Sequence, residues 1–248
     1  MSQNETQWWR EYFRRDWLLM EPMHKSAEDF IELALGLPDK SKILDLGCGY
    51  GRNSIALAKK GYFVVGLDLC QELLDIARAK AREAGVHVHF VRGDMRQVPF
   101  SEASFDGVLS WAGSFGYFSD QENVEVVCSI VHCLMPGGKL ILDIHNRDSI
   151  LRNHLGKTWH RNGEALVLED RQFDCLTSRW NVEHTILMPG EIRKGAASIR
   201  LYGFSEVKRI LEDTGLEVLH VYGEPTSPPA PLSVDSGMII VGRKSRSA

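Results

Sequence analysis

The stretch Ile43-Leu44-Asp45-Leu46-Gly47-Cys48-Gly49-Tyr50-Gly51-Arg52-Asn53-Ser54 sets three glycines at alternate positions behind a short apolar run. Glycine loses more conformational freedom on folding than any other residue, so three together imply a backbone that bends sharply or is closely approached. A buried strand feeding such a turn, with a helix after it, leaves helix-start N–H groups facing whatever lies in the turn. A dinucleotide turn, a phosphate loop and a methyl-donor loop all share that outline, and the neighbouring residues separate them. A dinucleotide turn needs G-x-G-x-x-G, whereas Arg52 stands where the third glycine belongs. A phosphate loop needs G-x-x-x-x-G-K-[ST], and that lysine is missing. Asp45, two residues before Gly47, would repel a pyrophosphate and attract an ammonium group.

Outward from this turn the chain alternates strand and helix. KILDLG reads as a buried strand and RNSIALAKKG as a helix ended by Gly61; YFVVGLD and QELLDIARAKAREAG repeat the pattern as far as Gly85. VHVHFVRGD and FDGVLSW give two more strands, Glu122 to Leu134 a helix closed by the Pro136-Gly137-Gly138 turn, and KLILDIHN a fifth strand. Short apolar strands between capped helices indicate βαβ units around a parallel sheet covered on both faces. Asp68 ends the second strand, where a carboxylate is placed to bond both ribose hydroxyls. Asp94 follows the third strand in RGDMRQVPF, able to accept from an adenine amino group or to form an Asx turn.

These segments resemble the class I S-adenosylmethionine (SAM)-dependent methyltransferases over most of residues 40 to 145. LDLGCGYG is similar to that family's first motif, and VVGLDLC, GDMRQVPF, FDGVLS and LMPGGKLIL to its later ones, in order. The resemblance implies a Rossmann-like, doubly wound α/β fold with a mostly parallel seven-stranded sheet and an antiparallel last strand. It implies SAM as cofactor, with Asp45, Gly47 and Gly49 along its methionine end, Asp68 and Leu69 at the ribose, and Asp94 with Met95 at the adenine. The family's chemistry is direct in-line methyl transfer, for which positioning can suffice.

The loop Ser110-Trp111-Ala112-Gly113-Ser114-Phe115-Gly116-Tyr117-Phe118 follows the fourth strand. It should border the methyl group, because ligands of open α/β sheets sit outside the strands' carboxyl ends. Trp111 is assigned there to the cofactor, Ser114 to the substrate and Tyr117 to a substrate-orienting role. The loop lacks the N/D-P-P-Y/F signature of amino-directed DNA methylation. His145, after the fifth strand, is the leading general-base candidate where the acceptor must lose a proton. Arg147 faces the same crevice.

Between about Leu155 and Tyr202 the alternation breaks. ALVLEDRQFD, SRWNVEHTILM and SIRLYG are strand-like, with a hairpin turn at Pro189-Gly190-Glu191, which implies an inserted antiparallel β subdomain over 155–202. With its Trp159, Arg171, Trp180, Arg200 and Tyr202 it resembles the extra sheet of small-molecule methyltransferases of this class, which implies a cap on the acceptor pocket or a homodimer contact. Arg200 and Tyr202, two apart, would share a strand face. Ser205 to Thr214 then reads as a helix capped by Ser205, and LEVLHVYG and GMIIVGRK as two final strands joined by the surface loop EPTSPPAPLSVDS. The N-terminal WWREYFRRDW is followed by a helix, Ser26 to Leu35, stopped by Gly36 and Pro38. The segment either forms a helical lid over residues 1–38, as such helices do in related enzymes, with Tyr12 as its cofactor contact, or packs the domain edge through Trp8, Tyr12 and Phe13. The Rossmann-like core takes 39–154 and 203–248.

Composition bounds the rest. With 44% hydrophobic and 25% charged residues, this 248-residue chain has ordinary globular character. A net charge of -4 argues against an electrostatic nucleic-acid binder. Five scattered cysteines without a C-x-x-C pair suit a reducing, cytoplasmic setting, with Cys128 and Cys133 expected in helix packing. No run of about 18 apolar residues is present, so no membrane partner is expected, and no metal-ligand spacing is seen. The function implied is O- or N-methylation of a small molecule. The rivals are an NAD(P)-linked oxidoreductase, disfavoured by Asp45 and Arg52, and a non-catalytic SAM sensor.

Overall fold

The computed structural model describes Trp8 and residues 27–246. Five parallel strands lie in the order β3-β2-β1-β4-β5: β1 (Lys42–Leu46), β2 (Phe63–Asp68), β3 (His89–Arg92), β4 (Phe105–Ser110) and β5 (Leu134–Ile144). The later strands β10 (Leu216–Glu224), β11 (Ala230–Pro231) and β12 (Met238–Lys244) extend this sheet, β12 running antiparallel between β5 and β10. The antiparallel last strand is as expected. The two-residue β11, lying in the segment read as a surface loop, makes an eighth strand beside the expected seven.

Side chains on alternate positions of these strands feed two cores. Leu44, Leu46, Val108, Leu140, Leu142 and Ile240 face one, with α4 (Asp120–Cys133) and α6 (Phe204–Asp213) packed on it. Ile43, Val64, Leu109, Ile141 and Val241 face the other, covered by Phe30, Ile31 and Leu35 of α1 (Glu28–Leu35) and Leu57 of α2 (Arg52–Lys59). That period of two, apolar on both sides, is why the strands read as near-continuous apolar runs. The remaining core helix is α3 (Gln71–Glu83). α1 stops at Gly36, a left-handed cap whose N–H bonds Glu32 O, as the sequence predicts. Of the expected lid over 1–38, everything before Ala27 except Trp8 lies outside the described residues, Tyr12 included.

The second sheet is a four-stranded antiparallel meander of β6 (Gly156–Asn162), β7 (Ala165–Asp174), β8 (Arg179–Met188) and β9 (Glu191–Arg200), with the expected turn between β8 and β9. β6 has no counterpart in the sequence reading because GKTWHRN is mostly exposed and shows no apolar alternation. β9 begins seven residues before the expected SIRLYG segment. Its first half, EIRKGAA, is poor in β-branched residues and is held by pairing with β8 instead.

Smaller differences have local causes. α4 starts at Asp120, not Glu122, because Ser119 caps it and Glu122 returns a bond to the Ser119 N–H. Pro136-Gly137-Gly138 forms a bulge within β5, where Phe105 pairs with Leu134 and Gly107 with Lys139. α6 is capped at Gly203 by Glu206 rather than by Ser205. A short helix α5 (Arg147–Asn153), started by the Asn146 side chain, was not expected. Cys133 is buried, but Cys128 is exposed, against its expected place in helix packing.

Candidate active site

The glycine turn sits where strand order reverses, between β1 and the flanking β2 and β4, at the strands' carboxyl ends. This is the usual ligand position in open α/β sheets. Gly47, Gly49 and Gly51 all have positive φ, of 77°, 53° and 79°. A Cβ on Gly47 would come within 3.0 Å of Ser114, while one on Gly49 would project into open space. Gly47 is therefore fixed by the loop after β4, and Gly49 leaves a cradle that any side chain would fill.

Around this turn lies a cavity of about 340 Å³, with Asp68, Leu69, Asp94, Met95, Ser114 and Tyr117 in its wall beside Gly47 and Gly49. Asp68 accepts from the N–H of Gly49 and of Cys70, both at 2.8 Å, and burial raises its pKa. Leu69 and Met95 supply apolar wall. Asp94 adopts the Asx turn, accepting from the Arg96 N–H at 2.9 Å, and its carboxylate is also gripped by the Arg96 guanidinium at 2.6 Å. Arg96 in turn bonds Glu122 and lies 4.5 Å over the Phe118 ring. Arg96, Glu122 and Phe118 were missed because their contacts join elements far apart in the chain.

A smaller cavity of about 50 Å³ adjoins the first, sharing Gly47, Gly49 and Ser114 and adding Asp45, Arg52 and Trp111. Asp45 is 3% exposed. Its carboxylate accepts from Ser54 Oγ at 2.5 Å, and burial raises its pKa to about 6 against that bond. Trp111 borders this cavity and also packs in the core against Phe30, with ring centroids 6.0 Å apart. Arg52 was read only as a missing glycine, yet its half-buried side chain borders this space without an ion pair to any described residue. Cys48 faces away, against Gly66, with its thiol pKa pushed up by burial, so it has the character of a packing residue.

Tyr117 makes an edge-on contact with Trp8, centroids 5.6 Å apart. His145 does not border the 340 Å³ cavity. It lies against Gly113 and edge-on to Trp180 at 5.4 Å, in the wall of a separate cavity of about 280 Å³. Burial, then His154, lowers its pKa to about 4.

The three remaining substrate candidates border none of these cavities. Arg147 bonds Glu206 at 2.9 Å and Asp148 at 3.2 Å. Arg200 bonds Asp120 and Glu206, both at 3.0 Å, and stacks 4.5 Å over the Tyr202 ring. The Tyr202 hydroxyl accepts from Asn123 at 3.0 Å and donates to Asp120. Arg200 and Tyr202 do not share a strand face, because β9 ends at Arg200 and Tyr202 lies beyond it; the two side chains stack on each other against α4 and α6. Trp159 is 67% exposed, away from the donor cavity.

Residues 43–138 match the model of the "Methyltransferase domain" family. The chain is 38% identical over 111 residues to the methyltransferase YqeM of Bacillus subtilis, a match covering 44% of each protein. It is 27% identical to a Geobacillus methyltransferase over 92% of this chain and 96% of the other. Its fold superposes on the CcbJ methyltransferase of Streptomyces caelestis with a TM-score of 0.79 at 22% identity, covering 91% and 92% of the two chains. The cavity suits SAM: a carboxylate at the β2 end, apolar wall beyond it, and a glycine cradle beside a free guanidinium. The chain carries this methyltransferase domain over residues 43–138, and its fold and cavity are similar to those of the class I SAM-dependent methyltransferases, for which SAM is the methyl donor.

Proposed function

We propose that the protein transfers the methyl group of SAM to an oxygen or nitrogen of a small molecule by direct in-line displacement. The observation that carries this reading is the placement of Asp68, Gly47, Gly49 and Met95 around one cavity at the sheet's switch point. When bound, SAM supplies an electrophilic methyl on a sulfonium. The chain's own residues bind and orient it. Asp68 with Leu69 would hold the ribose, Met95 would flank the adenine, and Asp94 would accept from its amino group. Arg52 would meet the donor carboxylate and Asp45 its ammonium, because both border the small cavity beside Gly49.

Tyr117 and Ser114 stand at the mouth towards the loop after β4 and would border the methyl group. His145, held neutral by burial, would accept a hydrogen bond from the acceptor rather than carry a charge at neutral pH. Arg200 and Tyr202 would act at one remove, by holding the end of the second sheet on α4 and α6, and Arg147 by tying α5 to α6. Five free cysteines support the expected reducing, cytoplasmic setting. Trp159 and Ile192, each 67% exposed on the second sheet, support that sheet as the homodimer contact.

Calorimetry with SAM and with NAD⁺, followed by transfer of labelled methyl across oxygen and nitrogen acceptors, tests the reading. SAM should bind in the micromolar range with no measurable NAD⁺ binding, and label should move to an acceptor. Preference for NAD⁺ would return the dinucleotide reading. SAM binding with no transfer to any acceptor would favour the sensor.

A further inference from the structure

The 280 Å³ cavity lies at the carboxyl end of β5, between the loop after β4 and the strands β10 and β12. It shares Ala112 with the small cavity beside the glycine turn, which in turn shares Ser114 with the donor cavity. The three spaces thus follow one another along the segment Ala112–Ser114. Its titratable lining is Asp143, Glu224, Asp235, His145 and His154, and among the described residues no lysine or arginine borders it.

These groups are not equally engaged. Asp235 pairs with Arg152 at 3.1 Å and accepts from Asn153 at 3.1 Å, so its charge is met from outside. Asp143 accepts only the Ala112 N–H at 2.9 Å, and Glu224 only the Gly237 N–H at 3.3 Å. Neither has a cation within ion-pair reach among the described residues. His145 shows no hydrogen bond to a described residue, its ring enclosed between Gly113 and Trp180. A carboxylate in the cavity wall, a second at its solvent-exposed rim and a neutral imidazole form a set of hydrogen-bond acceptors around one space, without donors from the described residues to match them, and leaving the wall carboxylate without a counter-charge is costly.

We propose that this cavity is the methyl-acceptor pocket and that it takes an amine, which arrives as an ammonium ion between Asp143 and Glu224. The inference rests on the SAM-dependent reading above. The bound ammonium gives one proton to the Asp143 carboxylate. The freed nitrogen lone pair then forms the N–CH₃ bond as the donor's C–S bond breaks, its electron pair remaining on sulfur. The product leaves as the methylated ammonium, Asp143 returns its proton to water, and His145 holds a remaining N–H or a neighbouring hydroxyl throughout. Burial that raises the pKa of Asp143 to about 7 suits it to both holding and accepting that proton.

Protein loaded with S-adenosylhomocysteine is titrated by calorimetry with amines and with alcohols of the same skeleton: glucosamine against glucose, cyclohexylamine against cyclohexanol. Transfer from labelled SAM to the same compounds is counted in parallel. Amines should bind and become methylated, and the alcohols should do neither. Asp143→Asn keeps an oxygen for the Ala112 N–H, and with Glu224→Gln it should weaken amine binding at least tenfold while SAM affinity stays within twofold. Glu224→Gln alone carries the test where Asp143→Asn fails to fold. Alcohols binding as tightly as amines, no amine binding, or amine binding unchanged in the charge-neutral variants would each overturn the proposal. SAM binding without amine binding defeats this inference alone, whereas absence of SAM binding defeats the donor reading and this one with it.

Discussion

At the level of single residues, the carboxylates divide by what they accept. Asp68 bonds two backbone N–H groups while bordering the donor cavity. Asp68→Ala should therefore cost about 1.5–3 kcal/mol of SAM binding, a loss of roughly ten- to a hundredfold in affinity by calorimetry. Desolvation shifts Asp143 and His145 in opposite directions. Asp143 rises from 3.8 to about 7, so the folded state holds a proton that the unfolded chain has lost. Stability then falls as pH rises between about 4 and 7, by up to ~1.4 kcal/mol per pH unit. Glu224 adds to that rise and Arg52 opposes it. His145 falls from 6.5 to about 4, so the unfolded chain binds the extra proton and stability is lost as pH drops through that window. The two effects offset in the wild type, and substitution separates them. Relative to wild type, Asp143→Asn should gain thermal stability as pH rises from 4 to 7. His145→Gln should gain it as pH falls from 6.5 to 4, both read from melting temperatures. Asp68 was legible because its position at a strand end, in register with the glycine turn, is a local fact. Asp143 was passed over inside KLILDIHN, where it reads as one polar residue in a buried strand.

At the level of elements, the second sheet is tied to the donor site through the loop after β4. The Arg200 N–H donates to Gly116 O at 2.7 Å, and the Arg179 guanidinium donates to Ser198 O at 2.7 Å and to Phe118 O. Phe118 borders the donor cavity, so Arg179 is a positioning residue for that wall. Arg179→Ala removes two charge-assisted hydrogen bonds, leaving Phe118 O only its bond from the Asn123 amide, and should lower stability by about 1.5–3 kcal/mol in chemical denaturation. SAM affinity should weaken with it, and Arg179→Lys should restore part of both. Arg200 was read as a substrate group and Arg179 was not singled out, because strand sequence reveals which residues share a face, but not which helix or loop that face meets. The same reason left β6 unseen: an exposed, polar strand exists only through its partner.

At the level of the whole molecule, a ligand that binds only the folded state stabilises it by mass action. SAM at a hundred times its Kd should add about 2.7 kcal/mol, raising the melting temperature by roughly 5–10 °C for a chain of this size. NAD⁺ at the same concentration should leave it unchanged in the same thermal scan. The sequence by itself determined the core architecture, the glycine turn and the acids at the ends of β2 and β3. Each of these follows from local chemistry: apolar runs of strand length, glycines where φ must be positive, caps at helix ends. The tertiary structure alone decided that Asp94 is shared with Arg96 and that Arg147, Arg200 and Tyr202 hold elements together. It also decided that His145 lies with Asp143 and Glu224 in a cavity of its own. Those placements depend on which faces meet after the chain folds, and residues eighty positions apart in the sequence, such as Asp143 and Glu224, become neighbours only because β12 and β10 close beside β5.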